Sequence, residues 1–366
     1  MKTAFIVTVI ALLLLAACGN NTIDAQTTLP TDKVKVGVIL PLTGSSANLG
    51  IGIQKGIEIA KQEINNLDII YEDDAGNTKN AITSFNKLAD VDKARIVILG
   101  LSGSTLGIAP LAEEKKIILM APIASAEKIS DAGDYTFRIR EVSTFHGRKM
   151  AEYAISRGWK KAAISSLNAD SSLTYVKGFI QRYGELGGQI TAKELYEKDE
   201  ADVRTQMGKI KAANPEVIFF AGLTDDTARA MKTARELGVK QPFLAHPGIE
   251  DGNTFFKVAG NSAEGTIYSS PFDDRTAQAQ EFKRLYAQKY NEAAFPWFAT
   301  NSYDALKLIS KVVEKCGENT DCIKKELYAT QNYVGASGTF SFDAKGDVQR
   351  PLILMKVENQ AFKRLV

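Results

Sequence analysis

The sequence predicts an α/β protein of two lobes, each a Rossmann-like parallel sheet flanked by helices. Three observations carry this. Short β-branched runs alternate with helical patterns from Val34 onward, the alternation breaks at Tyr135–Arg140, and it restarts at Lys161. About 350 residues beyond the first apolar stretch also exceed what one ordinary core organises.

The first run, Val34-Lys-Val-Gly-Val-Ile-Leu40, reads as a buried strand closed by Pro41 and Gly44. Ile53, Ile57, Ala60 and Ile64 then recur at helical spacing. Strands at Leu67–Tyr71, Arg95–Leu99 and Ile117–Met120 alternate with helices around Ala81–Ala89 and Leu106–Glu114. After the break, strands are expected at Lys161–Ser165, Val217–Phe220, Gln241–Ala245 and Thr266–Ser269, with helices at Leu173–Tyr183, Val203–Ala212 and Thr227–Leu237. Helices at Phe282–Tyr290, Tyr303–Lys315 and Ile323–Ala329 follow, then strands at Gly338–Phe342, Leu352–Val357 and Phe362–Leu365. This tail is too mixed for a third lobe and must pack on existing sheets. The chain is therefore expected to cross between lobes near Arg138–Val142, Ser269–Asp274 and Ala344–Arg350, a hinge that permits closure.

Residues 1–17 read as a signal peptide: Lys2, an apolar stretch too short for a bilayer, then Leu15-Ala16-Ala17-Cys18. That tetrapeptide resembles the lipobox of bacterial lipoproteins, which implies a diacylglyceryl group on Cys18, membrane anchoring and a polar tether over 18–32. Without the signal, 44 basic residues face 43 acidic ones, a balance that argues against nucleic acid as a partner. The remaining cysteines, Cys316 and Cys322, flank a turn-like Gly-Glu-Asn-Thr-Asp. A disulfide is expected there, and the alternative C-x5-C metal site lacks further ligands nearby.

No complete catalytic set is present. Gly50-Ile-Gly52 with Gly56 misses dinucleotide-binding spacing, and helix–sheet packing accounts for the glycines. Gly100-Leu-Ser102-Gly-Ser104 misses the nucleophile-elbow spacing. His146 and His246 read as surface or loop residues, and Glu72-Asp73-Asp74 as a solvated strand end. No metal and no cofactor is expected. Hydroxyl residues do recur at strand ends in both halves: Ser102 and Ser104, Ser125, Ser171, and Thr224. Ligands of open α/β sheets bind there, and the following helix N-termini suit a carboxylate. Helix capping explains some of these residues but not their clustering in both halves.

Several segments, in order, resemble the type I periplasmic solute-binding proteins of the leucine/isoleucine/valine-binding group, receptors of ABC transporters. They are Val-Gly-Val-Ile-Leu-Pro-Leu-Thr-Gly (36–44), Ile-Ile-Leu-Met-Ala-Pro (117–122), Ala-Arg-Glu-Leu-Gly (234–238), Ala-Gly-Asn-Ser-Ala-Glu-Gly (259–265), Ser-Tyr-Asp-Ala-Leu (302–306) and Gly-x-x-Gly-Thr-Phe-Ser-Phe-Asp-x-x-Gly-Asp (335–347). The resemblance implies a first lobe over 33–139 and 272–345 and a second over 140–271 and 346–366. It implies that Ser102 and Ser125 hold a ligand carboxylate and that the Ile123 carbonyl meets an ammonium. In the second lobe Ser171 stands where relatives carry an aromatic, and Glu250, with Asp251 behind it, is the candidate acid. Leu49 replaces an aromatic wall, and Phe298 keeps its place. A cleft without these acids would favour a simple carboxylate or amide.

The expectation is a monomeric, non-enzymatic receptor, outside the cytoplasm and lipid-anchored, that hands an amino acid or related molecule to an ABC permease. The alternatives are a ligand-sensing lipoprotein that signals through a membrane receptor and, third, an extracytoplasmic hydrolase. Cys18→Ala should move the protein from the detergent phase to the aqueous phase in a Triton X-114 partition. Retention in the detergent phase would overturn the anchor.

Overall fold

A computed structural model describes residues 33–44, 46–250, 254–273, 275–292 and 297–365, with Asp170 by its backbone alone. The signal peptide, Cys18, the tether 18–32 and Asp251 lie outside the described residues.

The first sheet comprises β1 (Val34–Leu40), β2 (Leu67–Asp73), β3 (Ile96–Leu99), β4 (Ile118–Ala121) and β5 (Thr136–Arg138). Its order is β2-β1-β3-β4-β5, every pair parallel. α1 (Ala47–Ala60), α2 (Thr78–Asn86) and α3 (Ser102–Lys115) connect its strands. β1, β3 and β4 are almost wholly apolar, as strands covered on both faces must be.

The second sheet repeats this plan. α4 (Ser143–Ser156) leads into β6 (Lys161–Leu167), α5 (Asp170–Glu185), β7 (Gln189–Tyr196), α6 (Arg204–Ala212), β8 (Val217–Ala221), α7 (Thr224–Glu236), β9 (Phe243–Ala245), a short α8 (Phe255–Ala259) and β10 (Ile267–Ser270). The parallel strands run β7-β6-β8-β9-β10, the same 2-1-3-4-5 order, and the antiparallel β14 (Ile353–Val357) and β15 (Phe362–Arg364) extend the β10 edge. Two sheets with this order give two topological switch points: after β1 and β3, and after β6 and β8.

Between β10 and β14 the chain returns to the first lobe as α9 (Ala277–Tyr290), α10 (Trp297–Cys316), α11 (Thr320–Tyr328), β11 (Tyr333–Gly335), β12 (Gly338–Phe342) and β13 (Val348–Gln349). α10 and α11 bury Leu308, Ile309, Ile323 and Leu327 in the core that also holds Val36 and Ile98. Cys316 and Cys322 form a disulfide across the turn between them, with Cα atoms 5.6 Å apart, and Asn319 caps α11 by accepting from the Cys322 N–H at 3.0 Å.

Three expectations change. β5, α4 and β7, absent from the sequence reading, are regular elements. The third crossing runs over 350–352, because Asp347 bridges to Arg138 beside β5 and β13 pairs with β12. The glycines of α1 serve close backbone approach and not helix–sheet packing. A Cβ on Gly56 would lie 2.1 Å from the Ala299 carbonyl of α10, and one on Gly50 2.2 Å from the Pro41 carbonyl. The second lobe packs α4 on α5 in the same way: a Cβ on Gly147 would stand 2.0 Å from the Tyr175 carbonyl, and one on Gly178 2.2 Å from that of Thr144. Gly147→Ala should therefore push these helices apart and cost about 1–3 kcal/mol as overpacking does, read as a lower urea midpoint. A midpoint equal to wild type would remove the close crossing.

Candidate functional site

The first-lobe site grows from the switch point after β1 and β3. α3 opens at Ser102, whose Oγ accepts the backbone N–H of Ser125 at 3.1 Å and of Ala126 at 3.3 Å. Both Oγ acceptor sites are thereby used, and the hydroxyl proton is left to donate elsewhere. The first-turn N–H groups of α3 have no partner within the helix and carry its positive end. The Asn301 side chain of α10 donates to the Pro122 carbonyl at 2.9 Å and holds the loop after β4 in place. Ile123 and Phe298 are buried in one apolar core, with Leu49 packed against it half-buried. Ser102, Ile123, Ser125, Leu49 and Phe298 thus gather in one lobe.

Ser104 does not join them. It is buried, and its hydroxyl donates to Asp74 Oδ2 at 2.8 Å. Asp74 is buried too and also accepts from Gly76 N at 2.8 Å. Asp73 accepts from Leu42 N at 2.9 Å and from the Thr43 hydroxyl at 2.7 Å; the Thr43 bond is the main reason its carboxyl sits below the ordinary range. Of the acidic run, Asp73 is the exposed end of β2 and holds the 41–44 loop, whereas Asp74 is buried against the start of α3 and is not solvated.

In the second lobe the Thr224 hydroxyl, at the start of α7, donates to the Gly248 carbonyl at 2.9 Å, fastening the 247–250 turn that carries Glu250. Glu250 accepts from the Tyr268 hydroxyl and from the Ser270 hydroxyl at 3.3 Å. Ser171 lies exposed on the first turn of α5. Between the lobes a narrow crevice, too tight to hold a water molecule, is lined by Arg140, Glu141, His146, Pro247, Glu250, Pro271 and Trp297. Trp297 meets Phe298 edge-on, ring centroids 5.5 Å apart, and so joins the crevice to the first-lobe group.

Polar side chains that the sequence reading passed over form the floor. Arg350, on the third crossing, pairs with Glu141 of the first at 2.5 Å and donates to the carbonyls of Ser337 (2.6 Å) and Ile139 (3.0 Å). Arg138 pairs with Asp347 at 2.5 Å and donates to the Ala126 carbonyl at 2.7 Å. Burial alone would raise the Glu141 pKa, but the Arg350 charge brings it down to about 2. His146 and His246 are both buried, so neither is a surface residue; His146 lies in α4, while His246 does lie in the loop after β9. His146 Nδ1 meets the Ser269 hydroxyl at 2.9 Å. His246 Nδ1 accepts from Gly248 N at 3.0 Å, its Nε2–H is directed to the Gly222 carbonyl, and its ring lies 4.7 Å from that of Tyr175. Desolvation lowers both imidazoles, His246 to about 4. The signal that could have found this floor was position: Glu141 and Arg350 lie inside crossings visible in the sequence. Among the described residues no group of three or more His, Cys, Asp or Glu could hold a metal, and no helix is long and apolar enough to cross a membrane.

Two lobes of equal topology with a crevice at the strand ends are the architecture of a solute-binding protein. The chain belongs to the periplasmic binding protein family, whose profile matches residues 33–361. It is 22% identical over 333 residues to the Leu/Ile/Val-binding protein homolog 3 of Brucella melitensis, covering 87% of this chain and 89% of that one. The crystal structure of the leucine binding protein LivK from Thermotoga maritima superposes with a TM-score of 0.79 at 25% identity, covering 91% of this chain and 98% of that one. The substrate-binding protein LivJ of Streptococcus pneumoniae, solved with isoleucine, gives 0.77 at 24% identity, covering 91% and 99%. The fold is the type I form, and the family places the protein outside the cytoplasm.

A histidine whose folded pKa lies below its unfolded value costs stability as pH falls from about 6.5, where the unfolded chain begins to bind the proton, to about 4. His246 alone should steepen the loss by up to ~1.4 kcal/mol per pH unit. His246→Gln should flatten urea-derived stability between these limits relative to wild type. An unchanged slope would show that the ring is charged in the fold.

Proposed function

We propose that the protein is the ligand-binding receptor of an ABC transporter, lipid-anchored through Cys18. It captures an amino acid or related small carboxylate between its lobes and delivers it to a membrane permease. The observation that carries this reading is Ser102: its oxygen is occupied by two backbone donors, so its proton is directed outward at the N-terminus of α3. A carboxylate placed there meets that hydroxyl, the Ser125 hydroxyl and the first-turn N–H groups. The Ile123 carbonyl takes one ammonium proton, and Glu250 supplies the negative charge that a buried ammonium requires. Thr224 acts on Glu250 through Gly248. Relatives named for leucine, isoleucine and valine binding support an amino-acid ligand.

A thermal-shift screen of the mature protein against amino acids, small carboxylates and amides tests this. A ligand at 100 times its Kd adds about 2.7 kcal/mol to the native state and raises Tm. Ser102→Ala combined with Ser125→Ala should abolish the rise. A rise that survives the double variant would refute the first-lobe assignment; no rise in wild type from any amino acid or carboxylate would refute the ligand class.

A further inference from the structure

The three arginines of the hinge region are not equivalent. Arg138 faces Asp347 and Arg350 faces Glu141, each with backbone carbonyls taking further N–H groups. Arg140 sits between them on the first crossing and has no carboxylate within 4.0 Å among the described residues. Its guanidinium lies over the Trp297 ring, 4.2 Å from the centroid, and Nη2 donates to the Tyr175 hydroxyl at 3.0 Å, a neutral acceptor. Of five N–H donors, only that one has a partner among the described residues.

The placement of Arg140 turns these unused donors toward a ligand. It is half-buried in the wall of the interlobe crevice, opposite Pro247 and Glu250. Stacking on Trp297 and the bond to Tyr175 fix its plane and leave an edge that matches a carboxylate bidentately. An exposed cation is screened by solvent; one held rigidly inside a crevice needs an anion when water leaves. Among the described residues no carboxylate pairs with it: Glu141 is engaged with Arg350, and Glu250, which lines the same crevice and accepts from Tyr268 and Ser270, is the acid assigned to the ligand ammonium.

Resting on the reading that Ser102 and Ser125 hold a first carboxylate, we infer that Arg140 recognises a second anionic group on the ligand, so that the protein selects acidic amino acids or small dicarboxylates over aliphatic ones. Leu49 and Phe298 then pack against the short methylene linker between the two anions, which needs less aromatic wall than a branched side chain does.

The test compares L-glutamate with its isostere L-glutamine, and L-aspartate, succinate and L-leucine as further probes, by calorimetric titration of the mature wild-type protein and of Arg140→Gln. Wild type should prefer glutamate to glutamine by about 10-fold or more, the scale of one charge-assisted hydrogen-bond pair, and Arg140→Gln should bring that ratio near one. Wild type that prefers glutamine or leucine overturns the inference and leaves the proposed function standing. So does a ratio unchanged in Arg140→Gln, or an equal loss for both ligands, which would make Arg140 a latch between Trp297 and Tyr175. Binding of none of the five probes overturns the inference, while the carboxylate reading itself stands or falls by the wider thermal-shift screen. The wild-type preference needs no variant to fold.

Discussion

Two buried arginine–carboxylate pairs hold the crossings on which the molecule depends. Arg350 with Glu141 joins the third crossing to the first, and Arg138 with Asp347 ties the end of β5 to the segment that leads into the third. A chain that passes between two sheets three times must bury backbone carbonyls that belong to neither sheet. The guanidinium groups satisfy several of them: those of Ala126, Ser337 and Ile139. The pairs are desolvated, so losing one partner strands a charge at a cost of about 3–5 kcal/mol. The crossings are consequently fixed in register against one another.

The same sheet order in both lobes sets opposing loops at the crevice, but the neighbours decide what each loop can do. Ser102 and Ser104 lie two residues apart on one helix. One keeps a proton to give; the other spends it on Asp74. Thr224 stands in the second lobe where Ser102 stands in the first, at the start of the helix after the third strand, and its hydroxyl fastens the turn that carries Glu250. The first lobe offers donors and the second an acid, two aromatic hydroxyls and buried imidazoles.

Much of the fold was legible because alternation of apolar strands with amphipathic helices is a local signal. The elements that escaped are weak in that signal. β7 (Gln-Ile-Thr-Ala-Lys-Glu-Leu-Tyr) is an edge strand, half-exposed along its length. β5 is a three-residue edge strand. α4 opens with Ser-Thr-Phe-His-Gly-Arg and buries Ser143, His146 and Gly147, residue types that composition assigns to a surface. Of the site, the strand-end hydroxyls could be named from position and Glu250 from the family resemblance. Arg140, Trp297 and Tyr175 could not, since nothing local distinguishes an arginine stacked on a distant tryptophan from one in solvent.

The sequence by itself determined the α/β alternation, the division into two lobes, the presence of helices after the strands that end at Leu99 and Phe220, and the turn that the disulfide spans. These depend on residues within a few positions of one another. The tertiary structure decided which hydroxyls remain available, which histidines are dry and which arginine lacks an acid. Those properties depend on contacts between residues far apart in the chain, 30 positions for Ser104 with Asp74 and 209 for Arg138 with Asp347. Desolvation and pairing belong to the packed molecule, and no stretch of chain carries them alone.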